Sequence, residues 1–300
     1  MKKYVLYSAI IGAYDDIVQP LVVDEDFDYI IFSDSIKEEK VGVWQIRQID
    51  YTNPIQTKVA RYVKTHPHLL LPEYKCSVWI DASVIIKSDY LYNRAKSLYA
   101  DKVAISSMKH PNRDCIYDEA VAVVMYNFES EETVLRWIDY LHQNHYPEHN
   151  GLCETGILFR SHDDVISRFN EEWWHCIEKY SRRDQLSFNY ALWKNQVKCD
   201  FIFSKDVNIR NSTHISLLNH SQAPNRDAYS STNKPALIRV LDFYPQYDAE
   251  IRNTYSRAFH SAHPRWIIAK EIIHLYPRYW ISSTFKNVKR NIKKIVCCKQ

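Results

Sequence analysis

An α/β fold built on a largely parallel, doubly wound sheet is what this 300-residue sequence predicts, and three observations carry the prediction. Short apolar runs alternate with helical patterns through the first hundred residues. Three of those runs end in polar residues: Gly12-Ala13-Tyr14-Asp15, Ser33-Asp34 and Asp81-Ala82-Ser83. Open α/β sheets bind ligands at just that place, beyond the carboxyl ends of their strands. Finally, 46% of the residues are hydrophobic, and a chain of this length can bury a full core without disulfide or metal staples.

Taken in order, Tyr4–Ile11 is a run of strand length, and Tyr29–Phe32 and Val43–Ile46 are shorter ones. Thr57–Lys64 predicts a helix with Val59, Tyr62 and Val63 inward. Ser77–Ile80 predicts a strand, Leu91, Ala95 and Leu98 one face of a helix, and Val103–Ser106 a further strand. Beyond His110 the pattern turns more helical. Ser130 before Glu131 and Glu132 opens a helix whose Val134, Trp137, Ile138 and Leu141 share a face. Gly156–Arg160 predicts a strand, and Ser181–Asp184 the start of a helix carrying Leu186, Tyr190 and Trp193. Residues 206–235 are polar without periodicity and predict loop. The organisation expected is one domain over 1–235, with halves 1–106 and 107–235, followed by a helical, basic and aromatic extension over 236–300.

Composition excludes several functions. Only four glycines are present (Gly12, Gly42, Gly151, Gly156), so neither a G-x-G-x-x-G nor a G-x-x-x-x-G-K-[ST] can be written. A bound phosphate must then be held by side chains, a metal or an ordinary helix N-terminus. Seven cysteines without a C-x-x-C suit a reducing, cytoplasmic compartment better than a disulfide framework. The opening residues superficially resemble a signal peptide, but Asp15 and Asp16 follow at once and favour a first core strand. No apolar run reaches membrane-spanning length. From Pro264 to Gln300, nine Lys/Arg stand against Glu271 alone. The basicity is therefore local, and nucleic acid is not an expected partner.

Each polar constellation has a functional and a plain structural reading. Asp81 could hold a divalent ion that bridges a diphosphate, or it could close a turn, which spacing alone favours. Arg61 and Lys64 share a helix face and could grip an anion, or lie on a solvated face. Asp184 could be a general base or a sugar-orienting carboxylate, or the end of a Ser-x-x-Asp capping box with Ser181. His142, His145 and His149 mimic a metal comb, but Pro147 and the lack of an H-E-x-x-H favour solvated histidines at a helix end. In the tail, Phe285, Val288, Ile292 and Ile295 at helical spacing, flanked by lysines and arginines, fit either an anionic membrane interface or a docked helix with a solvated basic face.

Several segments together carry more than pattern. Tyr7–Asp15, Asp28–Asp34, Ala60–Lys64 with Pro67-His68, Ser77–Asp81, His110–Ala120, Gly151–Gly156, Phe169–Trp174 and Ser181–Phe188 occur in this order. The chain resembles, over about residues 4–195, a family of glycosyltransferase-like domains of bacterial polysaccharide clusters and plant Golgi proteins. The resemblance implies a GT-A-type fold, with a nucleotide-sugar half (1–106) and an acceptor half (107–235). By that resemblance, Asp81 is similar to the first carboxylate of the D-x-D metal motif, and Ser83 stands where the second would be. His220 is then the candidate for a further ligand to Mn2+ or Mg2+, ahead of His214. Ile10, Gly12, Asp34, Arg61 and Lys64, with Asp81 and Ser83, would bind the nucleotide sugar. Asp184 and Glu154 would be the catalytic carboxylates, and His110, Arg113, Asp118, Glu119 and Gln185 would line the acceptor face.

The function expected is transfer of a sugar, UDP-linked by preference, to a growing glycan or glycolipid in surface polysaccharide synthesis. The expected location is cytoplasmic and peripheral on the inner membrane face, through residues 264–300. The competing expectations are a metal-dependent hydrolase acting on a lipid or amide through Asp81 and histidines, and a non-catalytic membrane-docked scaffold.

Overall fold

A computed structural model describes residues 3–125, 128–204 and 207–218. Its elements run β1 (Tyr4–Ile10), β2 (Phe27–Ser33), β3 (Lys40–Val41), β4 (Trp44–Gln48), α1 (Gln56–Thr65), α2 (Pro67–Leu70), β5 (Cys76–Ile80) and β6 (Val84–Ile86). They continue with α3 (Tyr90–Ala100), β7 (Ile105–Lys109), α4 (Ile116–Met125), α5 (Glu131–Gln143) and β8 (Cys153–Ser161). The last are α6 (Asp164–Lys179), α7 (Gln185–Lys194), β9 (Cys199–Phe201) and β10 (Ile215–Leu217).

Eight of these strands form one sheet in the order β3-β4-β2-β1-β5-β8-β7-β9, mostly parallel and flanked by helices. Both faces of its centre are covered, so the central strands are apolar on both sides rather than alternating with polar residues. The period of two instead sorts them between two cores. Val5, Tyr7 and Ala9 of β1, Ile30 and Phe32 of β2 and Trp79 of β5 pack with Val59 and Val63 of α1 and Phe169, Trp173 and Ile177 of α6. Leu6 and Ile10, Tyr29 and Ile31, and Val78 and Ile80 point the other way, onto Leu91, Tyr92, Ala95 and Leu98 of α3.

β8 departs from the expected topology. It pairs antiparallel with both β5 and β7. The consequence is geometric: its first residues, not its last, lie beside the carboxyl end of β5. The pairing continues one step past the strand, where the Asp81 amide donates to the Gly156 carbonyl at 2.9 Å.

Most expected elements form with small shifts. Ser130 caps α5 by accepting from the Thr133 amide, and Val134, Trp137, Ile138 and Leu141 are buried as predicted. The strand expected over Val103–Ser106 lies instead over Ile105–Lys109, where it pairs with both β8 and β9. The polar stretch after residue 206 contains β10, which pairs antiparallel with β6 as a separate two-stranded sheet. Three residues are too few for a periodicity to show.

Candidate functional site

The loop after β1 is shaped by Gly12, whose φ of +64° favours glycine. Its amide donates to Asp34 Oδ1 at 2.8 Å, so the polar ends of β1 and β2 are tied together. A Cβ on Gly12 would stand 2.5 Å from the Gln56 side chain. Ile10 is buried with its side chain in the α3-side core, so it can offer a ligand only its main chain.

Next along the sheet, α1 delivers Arg61 and Lys64. The end of α1 is gripped from beneath: the Lys64 carbonyl accepts from the Tyr7 hydroxyl at 3.0 Å and from the buried Arg160 guanidinium, which also donates to Asn170 at 2.8 Å. That grip satisfies a terminal carbonyl of the helix and fixes where Lys64 leaves it. The Lys64 side chain is 1% exposed and runs to Asp184 Oδ2 at 2.6 Å, to Asp81 Oδ1 at 3.3 Å and to Thr155 Oγ1 at 3.3 Å. The solvated-face reading of Lys64 is thereby excluded.

Asp184 is the hub. Its Oδ2 also accepts from Thr155 Oγ1 at 2.8 Å, and its Oδ1 faces Arg61 Nε at 3.0 Å. Burial alone would push its pKa up, but the Arg61 and Lys64 charges and the bonds from Lys64 and Thr155 outweigh that and hold the carboxyl well below the usual range. Burial pulls Lys64 down, opposed by Asp184 and Asp81. Asp184 makes no side-chain capping bond to α7, although it occupies the cap position. Ser181 instead accepts from the Arg183 amide and donates to Glu129. The capping-box reading gives way to an ion pair because a buried ammonium must be compensated.

Asp81, at the carboxyl end of β5, accepts on Oδ1 from the Trp79 indole at 2.8 Å as well as from Lys64. Its Oδ2 is turned toward Gly156, where an added Cβ would come within 3.4 Å of it. Ser83 is half-buried, and its carbonyl accepts from the Leu218 amide at 2.8 Å. β10 thus runs toward Ser83, while His214 lies at the opposite end of the β6–β10 pair, bonded to Ser88 and stacked on Tyr90. That removes His214 as a partner of Asp81. His220 lies outside the described residues.

A second group forms where β7 and the start of β8 meet α4. Glu154, buried, binds Arg210 through Oε1, while its Oε2 has no hydrogen-bond partner among the described residues. His110 Nδ1 accepts from the Arg113 amide at 2.9 Å and the Asn112 amide at 3.3 Å, which places the proton of the neutral ring on Nε2. Burial, then the Arg113 and Arg210 charges, pull His110 down to about 4. Nε2 faces Glu119 at 3.8 Å, and Glu119 is itself bonded to Arg113 Nε at 2.8 Å. Burial raises the Glu119 carboxyl, with Arg113 opposing. Gln185 is half-buried as the first residue of α7, and Asp118 is half-buried in the first turn of α4.

Thr155, Trp79, Arg160 and Arg210 join these networks without having been singled out in the sequence. Trp79 carried a usable signal, standing two positions before Asp81, and Thr155 lies inside the Gly151–Gly156 segment. Arg210 carried none. No described helix is long and apolar enough to cross a membrane.

The fold and the site together define an α/β domain that gathers carboxylates, an ammonium and guanidinium groups at the carboxyl ends of its parallel strands. The chain belongs to the TOD1/MUCI70 glycosyltransferase-like domain family, whose model matches residues 1–217. It is 25% identical over 180 residues to an alkaline ceramidase, TOD1, of Arabidopsis thaliana, covering 54% of this chain and 38% of that protein. It is 20% identical over 227 residues to a probable hexosyltransferase, MUCI70, of the same plant, covering 67% of this chain and 39% of that protein. The chain therefore spans well under half the length of these relatives. Among solved structures it resembles the apo form of a bifunctional glycosyltransferase, WbbM, with 11% identity and a TM-score of 0.37, over 67% of this chain and 38% of that one.

Proposed function

We propose that this glycosyltransferase-like domain transfers a hexosyl unit from a nucleotide-sugar donor, UDP-linked by preference, to a glycan or lipid-linked glycan in surface polysaccharide synthesis. The observation that carries the reading is the cationic pair Arg61 and Lys64, held by Asp184 at the carboxyl end of β5 within a chain of this family. A departing diphosphate needs fixed positive charge, and a chain with four glycines has side chains for that purpose rather than a glycine cradle.

In this reading Gly12 and Asp34 flank the nucleoside and Arg61 meets the diphosphate. The depressed pKa of Asp184 makes it a poor proton acceptor, so its part is to position Lys64 and Arg61. Glu154 keeps Oε2 without a hydrogen-bond partner among the described residues and takes the acceptor-side role of general base or sugar-orienting carboxylate. His110, Arg113, Asp118, Glu119 and Gln185 line the acceptor face.

A divalent cation, Mn2+ or Mg2+, belongs to the same proposal. Of the described residues, Asp81 Oδ2 would hold it, since Oδ1 is already committed to Trp79 and Lys64, and Ser83 two positions on would offer a hydroxyl. His220, two residues past Leu218, is the proposed third ligand. When bound, the ion would supply charge neutralisation to the leaving diphosphate. We also propose a cytoplasmic location with membrane contact through residues 264–300, which lie outside the described residues.

A second reading, hydrolysis of a lipid amide, takes its support from the name of one relative. Against it stands the family's description as a glycosyltransferase-like domain, whose model matches residues 1–217. The experiment that decides is hydrolysis or transfer from UDP-sugars with Mn2+ or Mg2+, run beside ceramide deacylation. Sugar release that is lost in Asp81→Ala supports the transferase; ceramide cleavage without sugar release overturns it.

A further inference from the structure

Next to the acceptor-side group, with which it shares Asp118, but separate from the Asp81 and Asp184 networks, the loop ahead of α4 meets the loop ahead of β8. We propose that Cys115, Asp118 and His149 bind one zinc-type divalent ion that pins these two loops together.

The ligand atoms of the three side chains all lie within 4.8 Å of one another, the one such group of potential ligands among the described residues. Around a tetrahedral zinc at ordinary bond lengths, ligand atoms lie about 3.3–3.8 Å apart. Closure therefore asks only for a modest rotation of side chains. His149 is exposed, while the buried Cys115 immediately precedes α4 and the half-buried Asp118 lies in its first turn. A thiolate, an imidazole and a carboxylate form a borderline-soft set that suits zinc, and leave the fourth position to water.

The surroundings fit the same assignment. Asp114 Oδ1 lies 2.8 Å from His149 Nδ1, the carboxylate–histidine contact that orients metal-bound imidazoles and fixes their tautomer. The backbone N–H groups of His149, Asp118 and Tyr117 face the Cys115 sulfur. On binding, the thiol would release its proton to solvent as the sulfur–metal bond forms. His149 holds a φ of +53°, two residues before Gly151 at +83°, so the loop pays for this presentation in backbone conformation. Its continuation is the start of β8, which carries Glu154. The ion's expected part is accordingly to hold the acceptor side in place, and the inference does not depend on which reaction the domain performs.

The test is Co2+ and Zn2+ titration of the full chain, in wild type and in Cys115→Ser, His149→Ala, Asp114→Asn and the pair Cys297→Ser/Cys298→Ser. Wild type should take one equivalent of Co2+ with a thiolate-to-cobalt charge-transfer band, and Zn2+ should raise its melting temperature. The band should vanish in Cys115→Ser and persist in the tail pair. Affinity should fall about 10–100-fold in Asp114→Asn and at least as far in His149→Ala, whose exposed side chain is not needed for folding. Absence of the band in wild type, its persistence in Cys115→Ser, or unchanged affinity in His149→Ala would each overturn the assignment.

Discussion

Asp184 and Glu154 are both almost fully buried carboxylates beside the carboxyl ends of the parallel strands, yet their surroundings are opposite. Asp184 is saturated: Arg61, Lys64 and Thr155 engage both of its oxygens. Glu154 meets Arg210, which is 65% exposed at its side chain, and keeps its second oxygen without a partner among the described residues. The first arrangement is a floor that fixes cations. The second is a rim that has spent little on its own satisfaction and so retains capacity for a ligand. A buried carboxylate engaged on both oxygens resists change, while a buried oxygen without a hydrogen-bond partner is a cost that binding can recover.

The sharpest way to break this comparison is to remove charge from each side. Asp184→Asn leaves Arg61 without its carboxylate and Lys64 with Asp81 alone at 3.3 Å, and should destabilise the fold by about 3–5 kcal/mol in denaturant unfolding. Glu154→Gln should cost under about 1 kcal/mol, because Arg210 simply returns to water. Similar losses for the two would erase the distinction between floor and rim. In activity the ranking reverses for Glu154→Gln, which should lose about a hundredfold or more in kcat while remaining folded.

Acid should separate the regions further. Asp184 has a depressed pKa, so its stabilisation is complete above the ordinary carboxylate range and is lost only as pH falls below it. His110 is also depressed, to about 4 from 6.5, and the unfolded chain takes up that proton first. Its contribution is whole above pH 6.5 and declines as pH falls toward 4. His66 and His162, each pulled down to about 4 chiefly by burial, act in the same window. Unfolding free energies measured across that window should fall with pH, and His110→Asn should flatten the slope. An unchanged slope would remove His110 from the buried rim. A similarly small loss of stability, about 1 kcal/mol, is expected from Gly12→Ala for a side chain at positive φ, with the Gln56 amide moving aside.

The sheet was legible where a strand's own residues carry the signal. β1, β2 and β5 are apolar runs with polar ends, and α3 and α5 show their buried faces in spacing alone. The reversal of β8 was not legible, because alternation of side chains is the same in either direction. The site divides along similar lines. Of the residues singled out in the sequence, Asp81, Arg61, Lys64 and Asp184 come together in one network, and Glu154 lies apart from it with Arg210. What joined Lys64 to Asp184 is a contact across 120 residues of chain, while the competing capping pattern at Asp184 is local and could be read directly. Charge spacing on α1 resembled a solvated face, since the burial of Lys64 comes from Trp79, Thr155 and Asp184 on other elements. Arg210 lies in a stretch with no periodicity, and nothing near it in sequence points to Glu154.

We propose that the end of β5, between Arg61 and Asp81, holds a nucleotide diphosphate. A crystal structure of the full chain with UDP and Mn2+ tests it most directly. The expected result is a diphosphate in contact with Arg61, with the ion on Asp81 Oδ2 and the Asp184–Lys64 pair unbroken. A nucleotide bound elsewhere, or no nucleotide bound while the site remains open to solvent, would contradict the account.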